Sequence, residues 1–412
     1  MKIKMNRRYV ALATALVMFS MSGCAKEAGS ASQGGSQSQE AGTQETGSSD
    51  EDVIVIGSVN DLSGNRSVNG NAINNGVKLA VEEINAAGGV LGRQIKLVTY
   101  DNKNDSQESI NGYTRLADLD KASAVITSDA SSICLSLVEI SNQKKIPLMG
   151  MPSDPRAVMN PDTQEVYPYM FLVDQPNAPQ QANIMAKYIE ANTDLRKAAV
   201  FYDQSNAYTV TNSQAFIEIW KEIGEVVIVE TCNSNDQDYK TQLNKIKNSG
   251  AEFIYCPNMP SQLVMMVQQA VQSGLDIPYM GAMDMADPFL SLLNDPQSLS
   301  LAYFQMVCWM QDEKIQPFFE SYKAKYGEDP IVKSVNGYDA MYILKAAIEK
   351  AGSDDPEAIR NALENDISGL DLLVSDNYSQ DPKTHSPLNL GMVMCKIEKG
   401  ELSNMGYFLP EE

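Results

Sequence analysis

Apolar and polar positions along this chain follow two periods, one helical and one extended. Val77, Ala80, Val81 and Ile84 recur at helical spacing while Glu82 and Glu83 turn away, and Gly88 and Gly89 close the segment. Before it, residues 53–59 form a near-continuous apolar run; after the turn at Gly92, residues 94–100 are rich in apolar, β-branched and aromatic side chains. Together they predict a βαβ unit. Further runs at 124–127, 146–150, 198–202, 226–231, 253–256 and 279–281 predict strands. Helical patterns separate them, as at 261–273, where Leu263, Met266, Val267, Ala270 and Val271 share one side ahead of Gly274. Such alternation predicts an α/β fold of parallel sheets covered by helices on both faces.

The pattern also repeats. Ile146-Pro147-Leu148-Met149-Gly150 and Ile277-Pro278-Tyr279-Met280-Gly281 share Ile-Pro-x-Met-Gly about 130 residues apart, each after a helix and before a polar loop. Equivalent strands in two similar lobes are the expected reading.

The first fifty residues break the alternation. Lys2, Lys4, Arg7 and Arg8 precede an apolar stretch, residues 9–21, that ends in Ser22-Gly23-Cys24. This resembles a lipoprotein signal peptide, residues 1–23, with Cys24 as the acylated new N-terminus; Met21 stands where leucine is commonest. Residues 24–52 are almost wholly small and polar after the cysteine, without aromatic residues or apolar periodicity, and predict a disordered tether reaching roughly 30 Å. The mature protein is therefore expected on the extracytoplasmic face of a bacterial membrane, anchored by lipid and not spanning it.

Charge narrows the partners. Removing the four signal-peptide cations takes the formal net charge from −21 to −25, which argues against nucleic acid or anionic lipid as an electrostatic target. Cys134, Cys232, Cys256, Cys308 and Cys395 are scattered without metal-ligand spacing and read as small core residues.

The wording of residues 79–105, LAVEEINAAGGVLGRQIKLVTYDNKND, together with Leu62-Ser63-Gly64, closely resembles the branched-chain amino acid binding proteins that serve ABC importers. Gly337-Tyr338-Asp339-Ala340 and Lys350-Ala351-Gly352-Ser353 resemble that family's late helix. The resemblance implies a type I periplasmic-binding-protein fold: two similar doubly wound parallel-sheet lobes joined by three hinge crossovers near Val173, Met306 and Leu372. Lobe 1 is then 53–172 plus 307–372, and lobe 2 is 173–306 plus 373–412. Asn104 and Ala130 stand where some members carry a first-lobe disulfide, so no such bridge is expected.

Ligands of open α/β sheets bind outside the carboxyl ends of the strands, which directs attention to the loops there. Ser131 and Ser132 lie just before a helix predicted from around Ile133, where free N–H groups and hydroxyls suit a carboxylate or serve as N-caps; the resemblance implies carboxylate binding at this loop. It also implies backbone and hydroxyl contacts around Ser153. Asp154 reads either as a partner for an ammonium or as a turn residue before Pro155. Tyr208 matches a family tyrosine facing the cleft. Asp284 lies one position from the family's ammonium-binding acid, whose slot Met283 occupies. Asn69 and Met259 replace aromatic residues; with Met151, Met283 and Met285 they suggest either a deformable thioether wall or ordinary core.

Nothing in the sequence assembles a nucleophile, base and oxyanion site. Ser141-Asn142-Gln143-Lys144 and Ser375-Asp376-Asn377 mimic β-lactamase signatures without the Lys-Thr-Gly. Asp101-Asn102-Lys103-Asn104-Asp105 lacks the turn glycine of a calcium loop, and His385 reads as a solvated loop residue. The expected function is capture of a small zwitterion, an amino acid or close derivative, by a monomer that delivers it to an ABC permease with its ATPase, with no enzyme activity, metal or cofactor. A surface ligand-sensing receptor on the same fold is the alternative.

Overall fold

The apolar run at the start of the ordered chain becomes β1 (Val53–Asn60), buried continuously from Ile56 onward. This is a computed structural model, and it describes residues 53–286, 289–388 and 390–410; the expected signal peptide, Cys24 and the tether lie outside the described residues. After β1 come α1 (Ser67–Ala86), β2 (Gln94–Asp101), α2 (Ser106–Asp118), β3 (Ala124–Thr127), α3 (Ser131–Lys144), β4 (Leu148–Gly150) and β5 (Met170–Leu172). The five strands form one parallel sheet in the order β2-β1-β3-β4-β5.

The pattern then starts again with α4 (Ala178–Asn192), β6 (Lys197–Asp203), α5 (Ala207–Trp220), β7 (Glu225–Cys232), α6 (Lys240–Lys247), β8 (Phe253–Tyr255), α7 (Pro260–Ser273), β9 (Tyr279–Met280), α8 (Phe289–Leu292) and β10 (Leu301–Met306). These strands pair in parallel in the order β7-β6-β8-β9-β10. That is the order of the first sheet, and the two Ile-Pro-x-Met-Gly strands, β4 and β9, hold the same fourth place in it. The sequence echo therefore marks a structural equivalence.

The chain continues through α9 (Gln316–Tyr326), α10 (Val332–Ala351), α11 (Pro356–Asn365) and a small antiparallel sheet of β11 (Leu370–Leu372), β12 (Ser375–Gln380) and β13 (Pro387–Leu388). It ends in β14 (Met392–Glu398) and β15 (Glu401–Phe408), which join the second sheet antiparallel, so that sheet is mixed and not purely parallel. The last pairing is local: Lys399 and Gly400 have φ of 50° and 80°, two left-handed residues that turn β14 straight back into β15 as a hairpin.

Each sheet is covered on both faces. Ile54, Ile56, Ile126 and Phe171 pack against α1, α10 and α11, while Val59, Val125, Leu148 and Met170 pack against α2 and α3. In the second sheet Val200, Phe253 and Tyr255 meet α4 and α5, and Phe201, Ile254 and Phe304 meet α6 and α7. Phe216 stacks on Tyr255 at 3.8 Å, and full burial of such a ring contributes about 3 kcal/mol. All five described cysteines are free and buried, in keeping with their reading as core residues. His385 corrects the sequence expectation: it is fully buried, stacked on Phe171 at 4.2 Å, with Nδ1 2.9 Å from the Met170 carbonyl. The 381–388 segment folds over the edge of β5, where the Leu172 N–H donates to the His385 carbonyl at 2.8 Å. Burial lowers the imidazole's affinity for a proton.

Two features position the site. Gly76 and Gly337 let α1 and α10 meet backbone to backbone: a Cβ on Gly76 would lie 2.0 Å from the Ser334 carbonyl oxygen, and one on Gly337 2.1 Å from that of Ile73. The close contact brings the start of α10, and with it Lys333, alongside the first half of α1. The second feature lies where the chain passes between the sheets. Asn336 Nδ2 donates to Asp174 Oδ1 at 2.7 Å, and Asp339 accepts the Leu373 and Val374 N–H groups at 3.0 and 3.2 Å. Burial pushes both carboxyls above their usual range, and the Asp174 charge pushes Asp339 further.

Candidate functional site

Following each strand to its carboxyl end leads to one group of side chains from either sheet. Beyond β1, Asp61 accepts the backbone N–H of Arg66 at 2.7 Å, and α1 begins at Ser67. This turn aims Arg66 and Asn69 at Asp129, which follows β3: Arg66 Nη2 and Asn69 Nδ2 donate to the same oxygen, Oδ2, at 2.7 and 2.8 Å. Lys333 approaches that oxygen at 3.9 Å and donates to Gln175 Oε1 at 2.6 Å. Gln175 Nε2 in turn donates to Ser153 Oγ at 3.0 Å. A polar chain thus runs from Asn69 through Asp129, Lys333 and Gln175 to Ser153. Burial alone would raise the Asp129 carboxyl, but the Lys333 and Arg66 charges and the bonds from Asn69 and Arg66 outweigh it and hold it below the usual carboxylate range.

The second sheet supplies a different wall. The Asn206 side chain caps α5 by accepting the Tyr208 N–H at 2.9 Å, and the Tyr208 hydroxyl donates to Gln181 Oε1 at 2.8 Å. Asp284 lies in the single 3-10 turn Met283–Met285 that follows β9, beside the Tyr208 hydroxyl. Burial pushes its carboxyl up to about 6, against the opposing pull of the neighbouring Tyr208 hydroxyl, Lys333 and Arg66. The two walls therefore feel each other's charge: cations of the first act on the carboxylate of the second.

Ser131 and Ser132 open α3, whose cap residue Ala130 supplies no side-chain bond, so the helix start keeps N–H groups free for an anion. Ser131 is half-buried and Ser132 exposed. Asp154 is committed elsewhere. It accepts the Arg156 backbone N–H at 3.0 Å and pairs with the Arg156 guanidinium at 2.5 Å, the turn role rather than an open ammonium partner. Of the four candidate methionines, Met151 and Met285 are core, while Met259 and Met283 are partly exposed. The structure brings Asn69, Ser153, Tyr208 and Asp284 into the two walls, with Met283 beside Asp284.

Arg66, Asp129, Lys333, Gln175 and Gln181 are the residues that loop reading missed. Arg66 and Asp129 carried a signal, since each is a charged residue just past a strand end. Lys333 carried none, because only the tertiary contact at Gly76 and Gly337 brings it there.

The sequence model described as periplasmic binding protein matches residues 53–401. A leucine-, isoleucine-, valine-, threonine- and alanine-binding protein of Pseudomonas aeruginosa is 26% identical over 316 residues, covering 76% of this chain and 82% of that protein. Among solved structures, a branched-chain amino acid transporter substrate-binding protein from Streptococcus pneumoniae, in complex with isoleucine, superposes with a TM-score of 0.71 at 26% identity, covering 87% of this chain and 100% of the other. A solute-binding protein from R. palustris, in complex with benzoate, shares the fold with a TM-score of 0.67 at 19% identity, covering 87% of this chain and 97% of the other.

Proposed function

The chain belongs to the periplasmic binding protein family, and on that footing we propose that it captures a small amino acid or close derivative between its two walls and delivers it to an ABC permease and its ATPase. Its relatives are binding proteins of transporters and not enzymes. The observation that carries the reading is the pairing of an open helix start at Ser131 and Ser132 with the Asp284 and Tyr208 pair. The first suits a carboxylate and the second an ammonium, the two ends of a zwitterion.

Capture proceeds by closure of a first lobe built on β1 to β5 against a second built on β6 to β10, about the crossovers near Val173, Met306 and Leu372. The protein acts as a monomer held at the extracytoplasmic face of the membrane by lipid on Cys24. Asp154 plays no direct part, since Arg156 occupies it. A thermal-shift screen of the purified protein against the amino acids tests the central point. A ligand at 100 times its dissociation constant should add about 2.7 kcal/mol of stability. A transition that moves with aromatic acids or sugars and with no amino acid would overturn the reading.

A further inference from the structure

The first wall carries more positive charge than its own contacts neutralise. Arg66 and Lys333 both converge on one carboxylate oxygen, Asp129 Oδ2, and Asn69 fills a third position on that atom. The Asp129 side chain is only 6% exposed, whereas Lys333 is 17% and Arg66 41% exposed. The anion is enclosed by its partners while both cations keep open surface. Lys333 makes its close bond to Gln175, a neutral acceptor, so an ammonium with three donors has capacity left. Both cations meet at Asp129, beyond the carboxyl end of β3, and their charges act on Asp284, beyond that of β9.

An aliphatic side chain lodged here would strip water from two cations and return no hydrogen bond, a costly arrangement. A carboxylate would complete it. With the ligand's ammonium at Asp284 and its α-carboxylate at the start of α3, one positive charge remains among Arg66, Lys333 and Asp129, and one distal negative charge balances it. We propose that this chain selects amino acids whose side chain ends in a carboxylate, with Arg66 and Lys333 gripping that distal group and Asn69 and Asp129 fixing the two cations. The proposal rests on the amino-acid reading above and names the ligand class within it. The sequence carries the same logic in part: Asn69, a hydrogen-bonding residue, stands where the resembled family often has an aromatic one.

Isothermal titration at pH 7 with L-glutamate, L-aspartate, L-glutamine and L-leucine tests it, using the wild-type protein, Lys333→Met and Arg66→Ala. One of the two acids should bind at least about tenfold more tightly than glutamine, and leucine more weakly than either, because sites built to bond a polar group reject analogues lacking it. Each substitution should weaken binding of the acid by about tenfold and leave glutamine within about threefold, with circular dichroism and the unliganded melting transition reporting the fold. Arg66→Ala lies outside the helix contact and stays informative if Lys333→Met misfolds. Leucine or glutamine binding as tightly as both acids would overturn the inference while leaving amino-acid capture intact. Binding of none of the four, with an aromatic acid or sugar bound instead, would overturn both.

Discussion

The two walls of the site stand on the same strand order yet present opposite chemistry. On the first, Asp129 is drawn below the usual carboxylate range by Arg66, Lys333 and Asn69, so its charge is fixed and shared. On the second, burial lifts Asp284 to about 6 beside one hydroxyl, so its charge is exposed to loss. A duplicated scaffold thus holds β4 and β9 in equivalent places while the loops beyond the strands have diverged. The carboxylate of the first wall is already paired with cations; that of the second lies beside a neutral hydroxyl.

The strongest way to break the comparison is to remove what assembles the first wall. Gly337→Val puts a side chain where the Ile73 carbonyl oxygen already stands, 2.1 Å from the Cβ position, and should cost about 3 kcal/mol in denaturant unfolding. A loss below about 1 kcal/mol would mean that α1 and α10 need not touch for Lys333 to reach Asp129. Next comes the contrast between two aspartates. Asp284→Asn should weaken amino-acid binding by about 2 kcal/mol or more, roughly 30-fold, whereas Asp154→Asn should leave affinity within about twofold and lower stability by about 1 kcal/mol through its Arg156 turn. Equal effects on binding would place Asp154 in the site after all.

Acidification separates affinity from stability on the second wall. With a carboxyl at about 6, some nine-tenths of Asp284 is neutral at pH 5, so affinity for an ammonium should fall roughly tenfold between pH 7 and pH 5. The stability term has the opposite sign. A carboxyl raised by folding contributes stability below its unfolded value near 3.8 and loses it as pH rises through about 6. Asp284→Asn should flatten both curves, and a tenfold loss that survives the substitution would assign the titration elsewhere. The smallest expected effect is at the crossovers. Asp174 and Asp339 are both raised by burial, so Asp174→Asn, which resembles the protonated form, should stabilise the protein by about 1 kcal/mol at pH 7. The gain should vanish near pH 4.

The scaffold was readable because its signals are local or periodic. The helix face at Val77, Ala80, Val81 and Ile84, the strand runs and the Ile-Pro-x-Met-Gly echo each reflect burial by neighbours close in sequence or by a repeated environment. The terminal hairpin is marked in the sequence only by Lys399-Gly400, and strand alternation by itself predicts uniformly parallel sheets. His385 was misplaced because a polar stretch reads as solvated, while here its ring finds Phe171 and its Nδ1 a carbonyl. In the site, Asn69, Ser153, Tyr208 and Asp284 follow from strand-end position together with the family resemblance. Lys333 does not, because it sits at a helix start far along the chain and reaches Asp129 only through the glycine contact.

Hydrogen exchange with and without the amino acid found by titration tests most directly the claim that both walls grip one ligand. Slowed exchange should appear together in residues 61–70, 128–133, 205–209 and 281–286, and at the start of α10. Protection confined to one wall, or to the hairpin of β14 and β15, would contradict the account.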